Sequence, residues 1–403
     1  MDADADLAEA VRSRIEALCP ILDQIQESTR SASISIGVLH HGEVIFTRSR
    51  GFCDVESQAP ADSEKNYLLC SLTKAFTAAC CGILVDEGKL EWTKPLQSYV
   101  QFRSVVDPVI GERATIQDAL SHNTGLAHMD LTWLGVECDY ILGKEDLLEI
   151  VSHLPPVHDL RSGFHYNNYM YAVAGLVIEQ QSGRPCYLDA IHHEPSVLKE
   201  IPIIVSHKSN ITTYAIGENT YSLAFARAMI PSTELKMLFL NGPQREHVIG
   251  RTSRPRLILY HNGVVLGNSH GLGDGPDWSA QAIAQAMFDL QPPIDFAEVS
   301  KQRAKTEYER YARVAADFEY LGNEERSKDR FNVNLEDYVG KYVNSGLKMT
   351  LDIRYDTAKS LIMVVNNVSS QCHRLSHFAG DKFGFLPSSR HEFVAREFID
   401  WFT

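Results

Sequence analysis

Cys70-Ser71-Leu72-Thr73-Lys74-Ala75-Phe76-Thr77-Ala78 opens a long apolar stretch and sets a serine three residues ahead of a lysine. Side chains three apart share one face of a helix, so the Lys74 amine can reach the Ser71 hydroxyl, a nucleophile with its own base. From Ala75 to Leu90 the sequence has the apolar pattern of a buried helix, with Gly88 where a C-cap glycine belongs. Ser71 then falls at a helix N-terminus, where free N–H groups and the macrodipole favour an oxyanion. Ser-x-x-Lys recurs at Ser196–Lys199 and Ser345–Lys348, but only the first pair opens such a helix. Taken alone, Ser71 fits a plain N-cap with Lys74 solvated equally well.

Two further constellations weigh against that plain reading. Phe164-His165-Tyr166-Asn167-Asn168 leads into a second apolar helix closed by Ser182-Gly183. Its Tyr-x-Asn, Tyr166 to Asn168, offers a phenol that can move protons and an amide that can orient both a lysine and a substrate carbonyl. A core aromatic with a satisfied hydroxyl is the alternative for Tyr166. After the β-rich run Arg256–Tyr260 comes His261-Asn262-Gly263. This third element is expected on an edge strand, where Gly263 admits a substrate and the next N–H, on Val264, serves as an oxyanion donor. The same triplets recur at Tyr342-Val343-Asn344 and His40-His41-Gly42, so order and context carry the weight.

In order, Ser-x-x-Lys, Tyr-x-Asn and His-x-Gly resemble the serine β-lactamase and penicillin-binding-protein superfamily. The nearest branch is the class C-like esterases and transesterases, which include fungal secondary-metabolite acyltransferases. The resemblance covers most of residues 30–290. Ser33–Phe46 looks like the family's opening hairpin, Gly51–Asp54 like the segment after it, and Ile116–Leu126 like the helix and loop before the second motif. It implies an α/β (α+β) fold: a β-lactamase/transpeptidase-like antiparallel sheet flanked by helices, an all-helical subdomain, and a small C-terminal antiparallel β (lipocalin-like) domain. The chemistry it implies is two-step acyl transfer, with Ser71 as nucleophile, Lys74 as its activator and Tyr166 as proton shuttle. Asn168 would orient Lys74 and the substrate carbonyl, and His261 would line the pocket beside Gly263. The N–H groups of Ser71 and Val264 would form the oxyanion hole. One departure stands out. Relatives follow the histidine strand with two more strands before an Asn-Ser-rich turn, whereas Gly263 reaches Asn268-Ser269 through Val264-Val265-Leu266-Gly267 alone. A hairpin of the sheet is therefore expected to be missing, which would hold His261 and Val264 poorly.

The spacing of Leu7, Val11, Ile15, Leu18 and Leu22 predicts one helix across residues 1–29. A β-lactamase-like hydrolase domain is assigned to 1–294, a helical connector with i,i+4 charge pairs to 295–330, and a barrel-like accessory domain of period-two strands to 331–403.

Composition narrows the function classes. The chain has 403 residues, 44% of them hydrophobic, enough to bury a large core. A net charge of -14 without a basic run excludes a phosphate-binding surface, so no nucleic-acid partner is expected. No apolar stretch is long enough for a membrane span. Met1–Asp6 lacks the pattern of a secretory signal. Eight cysteines without framework spacing, Cys80-Cys81 among them, predict a reducing, cytoplasmic setting. The paired His40-His41 and His192-His193 are not spaced as ligands, so no metal is expected, and no other cofactor is implied. The glycine-rich run from Gly267 to Gly275 has no phosphate-loop lysine and reads as a turn.

Three readings of function remain. The first is a hydrolase or transesterase for a small-molecule ester, lactone or thioester, with an acyl-donor carrier as a further candidate partner. The second is a β-lactamase or peptidase. The third is a catalytically impaired relative that uses the pocket for binding. Hydrolysis and transfer share the acyl-enzyme and differ only in water exclusion.

Overall fold

The computed structural model describes residues 3–40, 43–64, 71, 73–133, 141–184, 201–204, 206–210, 219–224, 226–228, 240–242, 245–249, 256–260, 263–267, 272–328 and 334–386. The N-terminal segment is two helices rather than one, α1 (Ala3–Ala17) and α2 (Cys19–Thr29). Pro20, at the first turn of α2, has no N–H to continue the helical ladder, and the chain breaks at Leu18. Val11, Ile15 and Leu22 are buried as their spacing predicts, while Leu7 is left exposed.

These helices cover a hairpin of β1 (Ser33–His40) and β2 (Glu43–Asp54), antiparallel with Ser33 opposite Gly51; the short β3 (Ala59–Pro60) pairs with β2. Alternate residues Ile34, Ile36 and Val38 of β1 face Val11, Ile15 and Leu22 in one apolar cluster.

A longer helical segment follows. It holds α3 (Thr73–Asp86), α4 (Pro108–Arg113), α5 (Ile116–Leu120), α6 (Leu147–His153), α7 (Asn168–Ser182) and α8 (Ile201–Ile204). Helices α3, α5, α6 and α7 bury their apolar faces together in the largest core, which includes Cys80, Cys81, Leu84, Leu120, Val151, Met170, Val173 and Val177. Local chemistry sets the ends of α7. The Asn167 side chain accepts the Met170 N–H at 3.1 Å, and Gly183, in the left-handed region, closes the helix by donating to Glu179 O. Helix α5 starts with a capping box between Thr115 and Asp118, whose carboxylate also takes both prongs of Arg161 at 2.8 Å.

The second sheet comprises β4 (Ser209–Asn210), β5 (Asn219–Tyr221), β6 (Ala226–Ala228), β7 (Leu240–Gly242), β8 (Arg245–Ile249), β9 (Arg256–Tyr260) and β10 (Gly263–Gly267). Its hydrogen-bonded order is β10-β9-β8-β6-β5-β4, with β7 on β8. Strand β1 lies close to β10, and with β2 and β3 it forms a hydrogen-bonded sheet of its own. Strands β9 and β10 pair from Tyr260 opposite Gly263 to Arg256 opposite Gly267. Among the described residues, β10 is the one strand of this sheet after β9, and the helix from Gly275 follows it.

Helix α9 (Gly275–Met287) covers the sheet next to α1, and Arg14 donates to the carbonyls of Ala286 and Met287 at its C-terminal end. Helix α10 (Phe296–Lys328) is the expected charged connector, but its first turns are docked. Phe296 is buried and stacks on Trp278, and the Ser300 hydroxyl meets that of Ser28 at 2.9 Å. The C-terminal region is an antiparallel sheet of β11 (Gly340–Asn344), β12 (Met349–Tyr355), β13 (Leu361–Val365) and β14 (Cys372–Arg374), with a hairpin of β15 (Ser376–Ala379) and β16 (Lys382–Gly384). It rests on α10 through Phe378 against Phe318, and on the helical segment through buried Leu347.

Candidate active site

Ser71 stands just before α3, and Lys74 is in the first turn of that helix. The Lys74 Nζ donates to Ser71 Oγ at 3.0 Å. From the start of α7, the Tyr166 hydroxyl donates to the same Oγ at 2.8 Å. A serine oxygen that receives two donors beside a buried lysine is held for proton transfer rather than left to water. Lys74 is 8% exposed, and its ammonium lies 4.8 Å from the centre of the Tyr166 ring and 5.1 Å from that of Tyr171. Two aromatic faces replace part of its hydration. The solvated-lysine reading of the sequence is thereby set aside.

Asn168 completes the first circle of contacts. Its Oδ1 accepts a Lys74 N–H at 2.6 Å and its Nδ2 donates to Asp130 at 2.8 Å. Asp130, on the loop after α5, also accepts the Trp133 indole N–H at 3.1 Å. Burial raises the Asp130 carboxyl above the ordinary range, opposed by the Trp133 and Asn168 hydrogen bonds and by the His128 and Lys74 charges. Next to it, the Thr132 and Tyr169 hydroxyls are hydrogen-bonded, and burial pushes the Tyr169 phenol up to about 12.

Behind Tyr166 lies His122, fully buried, its ring 4.4 Å from that of Tyr166 and 5.1 Å from that of Tyr171. Its Nδ1 accepts the Asn167 N–H at 3.0 Å, which requires the neutral imidazole. Burial, then the nearby Lys74 charge, holds its pKa well below the ordinary histidine value. Asn167 ties the same loop to α7, donating to both Leu126 O and Ala127 O at 2.9 Å. At the rim, His128 Nδ1 and His165 Nε2 are 3.3 Å apart, and burial followed by the His128 charge lowers the His165 pKa.

Four sequence-predicted residues, Ser71, Lys74, Tyr166 and Asn168, thus meet at one oxygen and its neighbours. His261 lies outside the described residues. Gly263 and Val264 are in β10, which pairs with β9 on one side and has β1 along the other. Strand β10 ends the hydrogen-bonded order of its sheet, as an edge strand does, with β1 lying close to its other side. Sequence reasoning missed Asp130 and His122. Both belong to the Ser121-His122-Asn123-Thr124-Gly125-Leu126 loop and its continuation, where a buried-type aspartate three residues before a tryptophan was the available signal. Among the described residues, no group of three or more His, Cys, Asp or Glu could hold a metal ion.

The family model described as Beta-lactamase matches residues 20–192, the span that holds all four of these side chains. The chain is 29% identical over 155 residues to Unguisins hydrolase ungD of Aspergillus violaceofuscus, covering 37% of this chain and 27% of that protein. It is 25% identical over 207 residues to Esterase EstB of Burkholderia gladioli, covering 48% of this chain and 52% of that protein. Each of these matches therefore spans less than two thirds of the relative's own length. The fold matches that of the octameric penicillin-binding protein homologue from Pyrococcus abyssi with a TM-score of 0.53 and 15% identity, over 94% of each chain. That last likeness speaks to the fold alone.

Proposed function

We propose that this chain, a member of the serine β-lactamase and penicillin-binding-protein superfamily, hydrolyses or transfers the acyl group of a small-molecule ester, lactone or thioester through an acyl-enzyme on Ser71. The observation that carries this reading is the convergence of Lys74 Nζ and the Tyr166 hydroxyl on Ser71 Oγ, at 3.0 and 2.8 Å. In the forward step Lys74 enters as the free amine, and Oγ bonds to the substrate carbonyl carbon while its proton passes to the Lys74 nitrogen. The bond to the leaving oxygen or sulfur then breaks, and Tyr166 returns a proton to that atom. Water or an acceptor alcohol repeats the sequence in reverse and frees Ser71. The Ser71 N–H supplies one oxyanion donor and a strand of the second sheet the other.

We read the family order, a histidine strand followed by two strands and an Asn-Ser sequence, onto β8, β9, β10 and the sequence Asn268-Ser269. On this reading His247, on β8, takes the third place first assigned to His261 and its neighbours Gly263 and Val264. The binding-only reading rests on a shortened sheet; the convergence of Lys74 and Tyr166 on Ser71 favours the catalytic one. Similarity to Unguisins hydrolase ungD supports a hydrolase, the resemblance of the motifs to fungal secondary-metabolite acyltransferases suggests a place in secondary metabolism, and the cysteine pattern supports a cytoplasmic setting.

The test is incubation with p-nitrophenyl esters of graded chain length, followed by intact mass, with Ser71→Ala in parallel. A nitrophenol burst with an adduct absent from the variant is expected, and the chain-length profile sizes the pocket. Folded protein giving neither release nor adduct would overturn the assignment. His247→Ala and His261→Ala, compared in the same assay, separate the two candidates for the third element.

A further inference from the structure

We infer that Asp130 is the positioning residue of this site: it fixes which way the Asn168 amide points and thereby aims the Lys74 amine at Ser71. The inference rests on the catalytic reading above and extends it by one link. An amide can face a lysine with either its oxygen or its nitrogen, and the nitrogen would set donor against donor. Only the Oδ1-inward orientation lets Lys74 donate to Asn168 and keep its remaining valences for Ser71 Oγ. Nothing in Asn168 itself selects that orientation. Asp130 does, because its carboxylate accepts from Nδ2 at 2.8 Å and so commits the nitrogen outward.

The choice of an aspartate at this position follows from its second partner. Trp133 Nε1 is a donor only, and it points at the other Asp130 oxygen at 3.1 Å. A group flanked by two N–H donors must present two acceptors, which a carboxylate does and a carboxamide does not. In Asp130→Asn, either orientation of the new amide sets an N–H against an N–H. If it turns to satisfy Trp133, its own NH2 faces Asn168, and Asn168 is driven to flip with its nitrogen toward Lys74. The groups facing Asp130 are Lys74 from α3, His128 from its own loop and Tyr169 from α7, next to Asn168.

The relay then runs Trp133 to Asp130 to Asn168 to Lys74 to Ser71, with no proton required to leave Asp130. Its members come from three chain segments: 71–74, 130–133 and the start of α7. Burial is consistent with this role. The site keeps a desolvated carboxylate supplied with two hydrogen bonds, an arrangement that costs stability and persists where orientation matters.

The experiment compares wild type, Ser71→Ala, Asp130→Asn, Trp133→Phe and the double variant Asp130→Asn/Trp133→Phe with a p-nitrophenyl ester. Burst amplitude counts competent sites, so each kcat is per active site even where some protein is misfolded. Asp130→Asn is expected to lose about 10²-fold in kcat with KM little changed, the usual cost of misplacing a catalytic group. Removing the indole N–H lets the introduced carboxamide turn its oxygen to Asn168, so the double variant recovers most of that loss relative to Trp133→Phe. Equal losses in Asp130→Asn and the double variant, or an Asp130→Asn rate within twofold of wild type, would overturn the inference. If Ser71→Ala still forms the adduct, it is the nucleophile assignment that fails, a separate outcome.

Discussion

Tyr166 meets Ser71 through its hydroxyl and Lys74 through its ring, so the two contacts can be removed one at a time. Tyr166→Phe keeps the aromatic face over the ammonium and deletes the proton carrier. It is expected to reduce kcat by about 10² to 10⁴-fold, the range for a lost general acid–base group, with little change in melting temperature. Burst kinetics on the p-nitrophenyl ester check this. His122 gives a pH signature of a different kind. Its folded pKa lies well below the unfolded value because burial disfavours the cation. Above about pH 6.5 neither state binds the proton and stability is unaffected. As pH falls below that value the unfolded chain binds a proton that the folded one refuses, and stability drops by up to about 1.4 kcal/mol per pH unit. In His122→Asn the side-chain oxygen can still accept the Asn167 N–H. That variant is expected to be less stable at pH 8 but flatter between pH 6.5 and 5, as measured by urea denaturation.

At the scale of elements, the loop after α5 is held by a close approach that no side chain can share. Gly125 has φ +78°, and a Cβ there would lie 2.1 Å from His158 O. Gly88, after α3, has φ +69° with nothing within 4 Å of the same position. Gly88→Ala is expected to cost about 1 to 2 kcal/mol, the left-handed penalty alone. Gly125→Ala adds a backbone collision and is expected to cost about 3 kcal/mol or more and to disturb the site through Asp130. Denaturant midpoints separate the two.

The same scale shows what the sequence could and could not tell. Ser71 to Lys74 and Tyr166 to Asn168 were legible because each motif lies within or just before one helix, where spacing alone fixes which side chains meet. Helix ends at Gly88 and Gly183 were legible for the same local reason. The third element was not, since a strand's neighbours are set by distant pairings. Tyr260 opposite Gly263 pairs β9 with β10, a register that no spacing within either strand reveals. Asp130 was illegible for a related reason, because its importance comes from Asn168, 38 residues away in the chain.

At the scale of the whole molecule, the N-terminal helices are fastened to the C-terminal end of α9, far along the chain. Arg14 Nε and Nη2 donate to Ala286 O and Met287 O at 2.8 and 3.0 Å, closing the last carbonyls of α9. Arg14→Ala is expected to lower stability by about 2 kcal/mol, the loss of hydrogen bonds from a charged donor, while leaving kcat unchanged. Thermal unfolding beside the ester assay checks both halves. Two strands far apart in the chain lie close together, β1 at Ser33–His40 and β10 at Gly263–Gly267. For a chain leaving the ribosome this imposes a schedule. Ser71, Lys74 and Tyr166 can gather as soon as α7 has emerged, whereas the first hairpin must wait with one flank bare until residue 267 arrives. Translation speed between those two points therefore sets how long the nascent chain leaves that flank of β1 uncovered, and slowing it invites self-association.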